Sequence, residues 1–324
     1  MSMKKNAKTD VVALGELLVD FTQNGLSAQG NPLFEANPGG APANVLAMLR
    51  KLGKSCAFMG KVGSDSFGNM LAGVLEEAGI DITCLKRDPE IPTTLAVVVS
   101  LPGGDRDFSF YRKPGADLMF RTDELDAGLL DSCRIFHFGT LSLTAEPCIS
   151  ATKAAVKTAK ESGALISFDP NLRPPLWNSE EAAKAAIRWG LSQCDVLKIA
   201  DNELLFMTGE SDEEQGAAVL KELFPNIRML NVTSGAEGSR SFYNGISVFE
   251  PARSEGGVID TTGAGDTFCA CVLNYILEHG LDNLGQSDLS GMLRFANAAA
   301  YLVATKKGAI RSMPERCRVE QLLN

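Results

Sequence analysis

Short, predominantly apolar runs alternate with longer stretches of helical periodicity along almost the whole chain. Val11 to Leu14 is such a run, and Cys56 to Val62, Ile135 to Phe138, Ala164 to Phe168, Asp195 to Ile199 and Met229 to Val232 repeat it. Runs of this length with little polar alternation predict strands buried on both faces. Between them, apolar residues recur at helical spacing. Val45, Leu46, Met48, Leu49 and Leu52 close on Gly53, the stretch from Phe67 to Ala78 closes on Gly79, and a further helix is expected through Ala151 to Ser162. Strand and helix in strict alternation imply an α/β fold with a mostly parallel central sheet and helices on both faces. Two stretches depart from that rhythm. Thr94 to Ser100 is β-rich, Pro102 to Asp105 reads as a turn, and Asp107 to Arg112 alternates; Ser241 to Phe249 makes a second hairpin. The first hairpin predicts a small separate sheet beside the main one.

Chemistry concentrates where this pattern is interrupted by glycine. Val258 and Ile259 read as a strand end, Thr262 as an N-cap, and Phe268, Val272, Tyr275 and Ile276 as one helical face. Gly263, Ala264 and Gly265 leave little side chain above the first turn. A strand, a glycine-rich turn and a helix N-terminus aim unpaired N–H groups and a positive dipole end at one point, which suits an anion. Asp266 in that turn would repel a resting phosphate. It makes sense as a base that takes a hydroxyl proton while the amides hold developing charge, or, more plainly, as a complement to the dipole. In Asn37-Pro-Gly-Gly-Ala-Pro-Ala-Asn44, Gly39 and Gly40 permit close backbone approach and Asn44 can both donate and accept; an ordinary loop before a helix is the simpler alternative. The strand ending at Phe168 runs into Asp169-Pro-Asn171-Leu-Arg173-Pro-Pro-Leu-Trp177, the strand-end position where open α/β sheets bind ligands. Arg173 offers a rigid fork for hydroxyls or a carboxylate. Gly53-Lys54-Ser55 imitates the end of a P-loop, but Met48 holds the place of the required glycine and the helix precedes the strand, so it is rejected.

Composition narrows the classes. The 324 residues are 45% apolar, enough for a large core, and the net charge of −9 argues against a nucleic-acid or membrane surface. No run of 18 apolar residues suggests a membrane span, and Met1 to Asp10 lacks the apolar region of a signal peptide. The eight cysteines are scattered with no CxxC pair, as expected for buried free thiols in a reducing cytoplasm rather than a metal site.

Asp260-Thr-Thr-Gly-Ala-Gly-Asp266-Thr-Phe268 resembles the C-terminal signature of the ribokinase-like (PfkB) carbohydrate kinases, and Asn37 to Asn44 resembles their N-terminal one. The resemblance covers nearly the whole chain. It implies a three-layer sandwich spanning residues 1–324 as one kinase domain, with a β-lid from about 16–34 and 92–113 over the sugar. It implies that Asp266 is the catalytic base and that the Gly263–Gly265 turn is the anion hole. Asp20, Gly39, Gly40 and Asn44 match the sugar-binding positions, and Tyr111, Arg112 and Arg173 are placed to join them. Lys198, Glu203, Thr233, Gly235, Gly238 and Asn297 match the nucleotide side. The family's Asn three residues before Glu203 is Ala200 here, which Asn202 or Lys198 would have to replace. Asp260, Thr262, the backbone near Val303, Lys306 and Gly308, and Ser312 match its monovalent-cation site, whose oxygen ligands suit a hard cation. The run from Asp169 to Trp177 is most similar to fructokinases. The expected activity is ATP-dependent phosphorylation of fructose with Mg²⁺ and K⁺, in the cytoplasm, with any homodimer formed through the lid. The alternatives are 2-keto-3-deoxygluconate kinase, a nucleoside kinase such as adenosine kinase, and a non-catalytic sugar- or nucleotide-binding regulator.

Overall fold

The computed structural model describes residues 9–100, 106–253 and 255–323. The expected turn at Pro102 to Asp105 and most of the polar start lie outside them. The chain begins with β1 (Val11–Leu14), β2 (Leu18–Leu26) and β3 (Pro32–Gly39), then α1 (Ala41–Lys51), β4 (Cys56–Gly63), α2 (Ser66–Glu77) and β5 (Asp81–Asp88). The hairpin strands β6 (Leu95–Ser100) and β7 (Arg106–Tyr111) follow. The βα rhythm resumes with α3 (Ala127–Ser132), β8 (Ile135–Gly139), α4 (Cys148–Glu161), β9 (Leu165–Asp169), α5 (Glu180–Gln193), β10 (Val196–Ala200), α6 (Asp201–Thr208) and α7 (Glu213–Leu223). The chain ends with β11 (Met229–Thr233), β12 (Gly238–Tyr243), β13 (Ile246–Pro251), α8 (Ala264–His279), α9 (Gln286–Ala304) and α10 (Arg316–Leu323).

Among the described residues nine strands form one sheet in the order β13-β12-β11-β10-β9-β8-β1-β4-β5, parallel from β11 to β5 and antiparallel at the β12–β13 hairpin. Successive side chains of a strand point to opposite faces, so the apolar runs feed two cores at once. Val11, Ala13, Ile135 and Val196 join the core under α1, α8 and α9. Val12, Leu14, Phe136, Phe138, Leu197 and Ile199 join the core under α4 and α5. That double burial is why these strands read as predominantly apolar runs without polar alternation.

Among the described residues four strands form a second sheet, β3-β2-β6-β7, with β2 and β6 parallel through Val19 opposite Leu95. The small sheet expected near 16–34 and 92–113 is present, and its first hairpin runs on to Gly39. Two local expectations fail. Val258 and Ile259 are exposed and belong to no strand, although Ile259 N and Asp260 N both donate to the Ala304 carbonyl. The N-cap of α8 is Gly263, not Thr262. Thr262 instead turns its hydroxyl onto Asp260 Oδ1 at 2.6 Å.

Candidate active site

The amino end of α8 faces a cavity of about 260 Å³ between the carboxyl ends of the parallel strands and the small sheet. Gly263 has φ 79°, a left-handed backbone that glycine adopts without cost, and an added Cβ would lie 2.7 Å from the Ala309 Cβ. Asp266 is buried in the first turn of α8, and its Oδ2 accepts from Asn44 Nδ2 at 2.7 Å. Asn44 comes from α1, 222 positions away in the chain. Its Oδ1 is buried in the cavity wall with no hydrogen-bond partner among the described residues. Burial pushes the Asp266 carboxyl up to about 6, helped by the charge of Asp169 and opposed by the Asn44 amide, Lys198 and Arg173.

The small sheet supplies Asp20, opposite Asn37 in the β2–β3 register; both line the cavity. Burial pushes Asp20 up to about 7; Arg173 pulls it back, while Asp260 and Asp266 push it further. Gly39 and Gly40 are required by closeness. A Cβ on Gly39 would sit 2.3 Å from Asp20 Oδ2, and one on Gly40 2.3 Å from the Glu16 carbonyl. Lys198 in the middle of β10 reaches Asp169 Oδ2 at 3.1 Å, and a Cβ on Gly265 would approach its Nζ to 3.1 Å. Burial pulls the Lys198 ammonium down, but the carboxylates of Asp169, Glu203 and Asp266 outweigh it, so it stays charged beside the turn. Arg173 and Asn171 close the cavity from the loop after β9.

The site therefore gathers Asp20, Gly40, Asn44, Arg173, Lys198, Asp260, Thr262, Gly263, Gly265, Asp266 and Gly308 around one space. Other expected positions fall elsewhere. Tyr111 is 66% exposed and lines no part of the cavity. Arg112 is buried in an ion pair with Asp117 at 2.6 Å, so its charge is not turned to a ligand. Glu203 accepts from Ala200 N at 2.9 Å and Leu172 N at 2.6 Å, capping α6 and fixing the loop before Arg173. Thr233, Gly238 and Asn297 do meet, at the start of the β12–β13 hairpin and away from the cavity lining. Both amide hydrogens of Asn297 go to the Glu250 and Pro251 carbonyls, and its Oδ1 accepts from Ser239 Oγ. That side chain binds α9 to the hairpin. The segments 260–262 and 303–312 lie together: Gly308 N donates to Asp260 Oδ2 at 3.0 Å and Ser312 Oγ to the Lys307 carbonyl at 2.6 Å. Lys306 N takes the Val303 carbonyl.

Several cavity residues carried no functional expectation: Glu16, Asn37, Asn171, Val98, Phe110 and Leu141. Asn37 and Asn171 sit inside runs already marked by glycine and proline, and Asn171 has φ 44°, a conformation that asparagine tolerates better than most residues. The apolar ones carry no local signal, because a cavity wall and a core strand use the same residues.

The pfkB family carbohydrate kinase model matches residues 8–316. The chain belongs to the pfkB family of carbohydrate kinases. This kinase is 40% identical to Fructokinase-1 of Zea mays over 319 residues, covering 97% of each chain. Its fold superposes on the fructokinase of Xylella fastidiosa with bound ATP at a TM-score of 0.88, with 30% identity and 98% of each chain covered. The fructokinase of Vibrio cholerae in its fructose, ADP and calcium ion bound form matches at a TM-score of 0.86 and 30% identity, covering 98% of this chain and 99% of that one. The kinase thus has the α/β layering expected from its alternating runs and the ribokinase-like fold that the resemblance implied.

Proposed function

We propose that this kinase is an ATP-dependent fructokinase in which the whole chain forms one catalytic unit and the small sheet is its lid. The observation that supports this most directly is the Asp266–Asn44 pair at a glycine turn facing a polar cavity. Asp266 takes the proton of the acceptor hydroxyl as the γ-phosphoryl of ATP moves to it. The N–H groups of Ala264, Gly265 and Asp266, with Lys198 beside them, oppose the charge on the transferred group. The acceptor is a primary hydroxyl, O6 of fructose. The buried Asn44 Oδ1 and the Asp20 carboxylate offer acceptors to other sugar hydroxyls.

Mg²⁺ accompanies the nucleotide phosphates and neutralises charge there when bound. The Asp260 carboxylate beside the 303–312 segment fits K⁺, since acid and carbonyl oxygens are the ligands of a hard cation. Its contribution is to order the turn that carries Asp266. Thr233, Gly235, Gly238 and Asn297 are proposed to form the base and ribose side, with Asn297 shaping the hairpin rather than donating to adenine.

A neutral sugar is favoured over a keto acid by the charge of the acceptor side. Glu16, Asp20, Asp260 and Asp266 line the cavity, against Arg173 and Lys198. A panel of sugars with MgATP, read as ADP release, tests the reading. Fructose is expected to lead, and 2-keto-3-deoxygluconate with a much higher kcat/KM overturns it. Arg173→Lys keeps the charge and loses the fork. It should cost about 1–2 kcal/mol in kcat/KM for fructose, the scale of ordinary hydrogen bonds, against roughly 2–4 kcal/mol for a carboxylate substrate. Leu26, Leu33 and Phe34 are exposed on the lid; a second copy covering them is the proposed assembly, and sedimentation velocity of the wild type reads it.

A further inference from the structure

The four strands of the lid cross into the body of the kinase at four points. β2 starts two residues after Glu16, and β3 ends two residues before Ala41. β6 starts just after Thr94, and β7 ends just before Arg112. Each pair of crossings meets one buried carboxylate. Glu16 Oε1 accepts from Ala41 N at 2.8 Å. Asp117 Oδ1 accepts from Thr94 Oγ1 at 2.5 Å, and Asp117 Oδ2 accepts from Arg112 Nε at 2.8 Å and Nη2 at 2.6 Å.

Arg112 then reaches past Asp117 into the body. Nη2 donates to the Leu141 carbonyl at 2.8 Å and Nη1 to Thr144 Oγ1 at 2.9 Å. Its charge also acts on Glu16, at the other pair of crossings. The Arg112 and Asp117 side chains are only 3% and 1% exposed. The junction is full, since a Cβ on Gly115 would lie 1.8 Å from Thr94 Oγ1. Neither Arg112, Asp117 nor Thr94 lines the cavity, but Leu141, whose carbonyl Arg112 holds, does. Only a guanidinium has enough donors in a fixed fork to satisfy a carboxylate, a carbonyl and a hydroxyl together.

We propose that Arg112 is a positioning residue for phosphoryl transfer. With Asp117, which also holds Thr94 at the other end of the β6–β7 hairpin, it ties that hairpin to the body at Leu141 and Thr144, so that Asp20, Val98 and Phe110 close over the acceptor at a set distance. This rests on the reading of the small sheet as a lid over the sugar. A lid held at the wrong height admits water beside the γ-phosphate, and water is a competing acceptor.

Hydrogen exchange of the unliganded kinase and steady-state kinetics test it together. In Arg112→Met the amides of β2, β3, β6 and β7 should exchange at least tenfold faster, while those of β8 to β10 keep wild-type rates. KM for fructose should rise about tenfold or more with KM for ATP unchanged, and ADP should form in excess of sugar phosphate. Arg112→Lys, which keeps the charge, should fall between. If Arg112→Met does not fold, Thr94→Val removes a single hydroxyl from the same carboxylate and should shift the same readouts in the same direction. Unchanged lid exchange with unchanged KM overturns the proposal. So does a raised KM with unchanged lid exchange, which would make Arg112 a direct sugar contact. If the wild type does not phosphorylate fructose, the sugar assignment falls, and lid exchange decides the anchor without it.

Discussion

Asp266 shows how one residue carries both a liability and a proposed use. Its carboxyl is buried in the first turn of α8, with Asp169 nearby, and ionises only near pH 6. If it is the proton acceptor proposed above it must be ionised, so kcat should climb with pH through about 6 and level off above it. Asp266→Asn should lower kcat by roughly 100-fold or more, the usual scale for a general base, with nucleotide affinity largely kept. Near-wild-type turnover in that variant would make the residue structural. The stability effect runs the other way. The folded carboxyl titrates above its unfolded value of 3.8, so its ionisation destabilises the fold as pH rises from about 4 through 6. At pH 7.5 the Asn variant should therefore be more stable, by something on the order of 2–3 kcal/mol. That gain should vanish at pH 3.5, and urea unfolding at the two pH values reads the difference.

At the level of elements, α6 and the loop after β9 act as a pair because Glu203 serves both. It caps its own helix through Ala200 N and holds Leu172 N, next to Arg173. A carboxylate that accepts two backbone N–H groups in a buried place leaves both unsatisfied when removed. Glu203→Ala should therefore loosen the loop that carries Asn171 and Arg173. The expected signature is a KM for sugar raised about tenfold with KM for ATP nearly unchanged. A rise confined to ATP would return Glu203 to the nucleotide side.

For the molecule as a whole, the join between the 260–262 turn and the 303–312 segment decides how firmly the start of α8 is held. Asp260 gathers Thr262 N, Thr262 Oγ1 and Gly308 N, and so links the segment before α8 to the one after α9. Potassium bound there would steady the Gly263–Gly265 turn without entering the chemistry. Activity in a buffer free of Na⁺ and K⁺ should rise severalfold on adding K⁺ with little change in KM for fructose. No response to K⁺ would argue that Asp260 and its donors suffice alone.

The alternation of apolar runs and helical periods determined the α/β layering on its own, because strands buried on two faces leave no room for polar alternation. The glycine-rich turn with Asp266, the Asn37 to Asn44 run and the polar loop after Phe168 were legible for a related reason. Glycine, asparagine and charge at strand ends and helix starts mark backbone that must approach something. What the chain order could not decide was which of two uses a polar side chain would find. Arg112 and Asn297 carry donors that suit a ligand as well as a partner within the protein. Only the fold brought Asp117, Leu141 and Thr144 around one, and Ser239, Glu250 and Pro251 around the other. The same holds for Asn44 and Asp266, distant in sequence and 2.7 Å apart in space. Hydrogen bonds reach about 3 Å and are blind to chain separation, so the allocation of polar groups between scaffold and site was settled by tertiary packing.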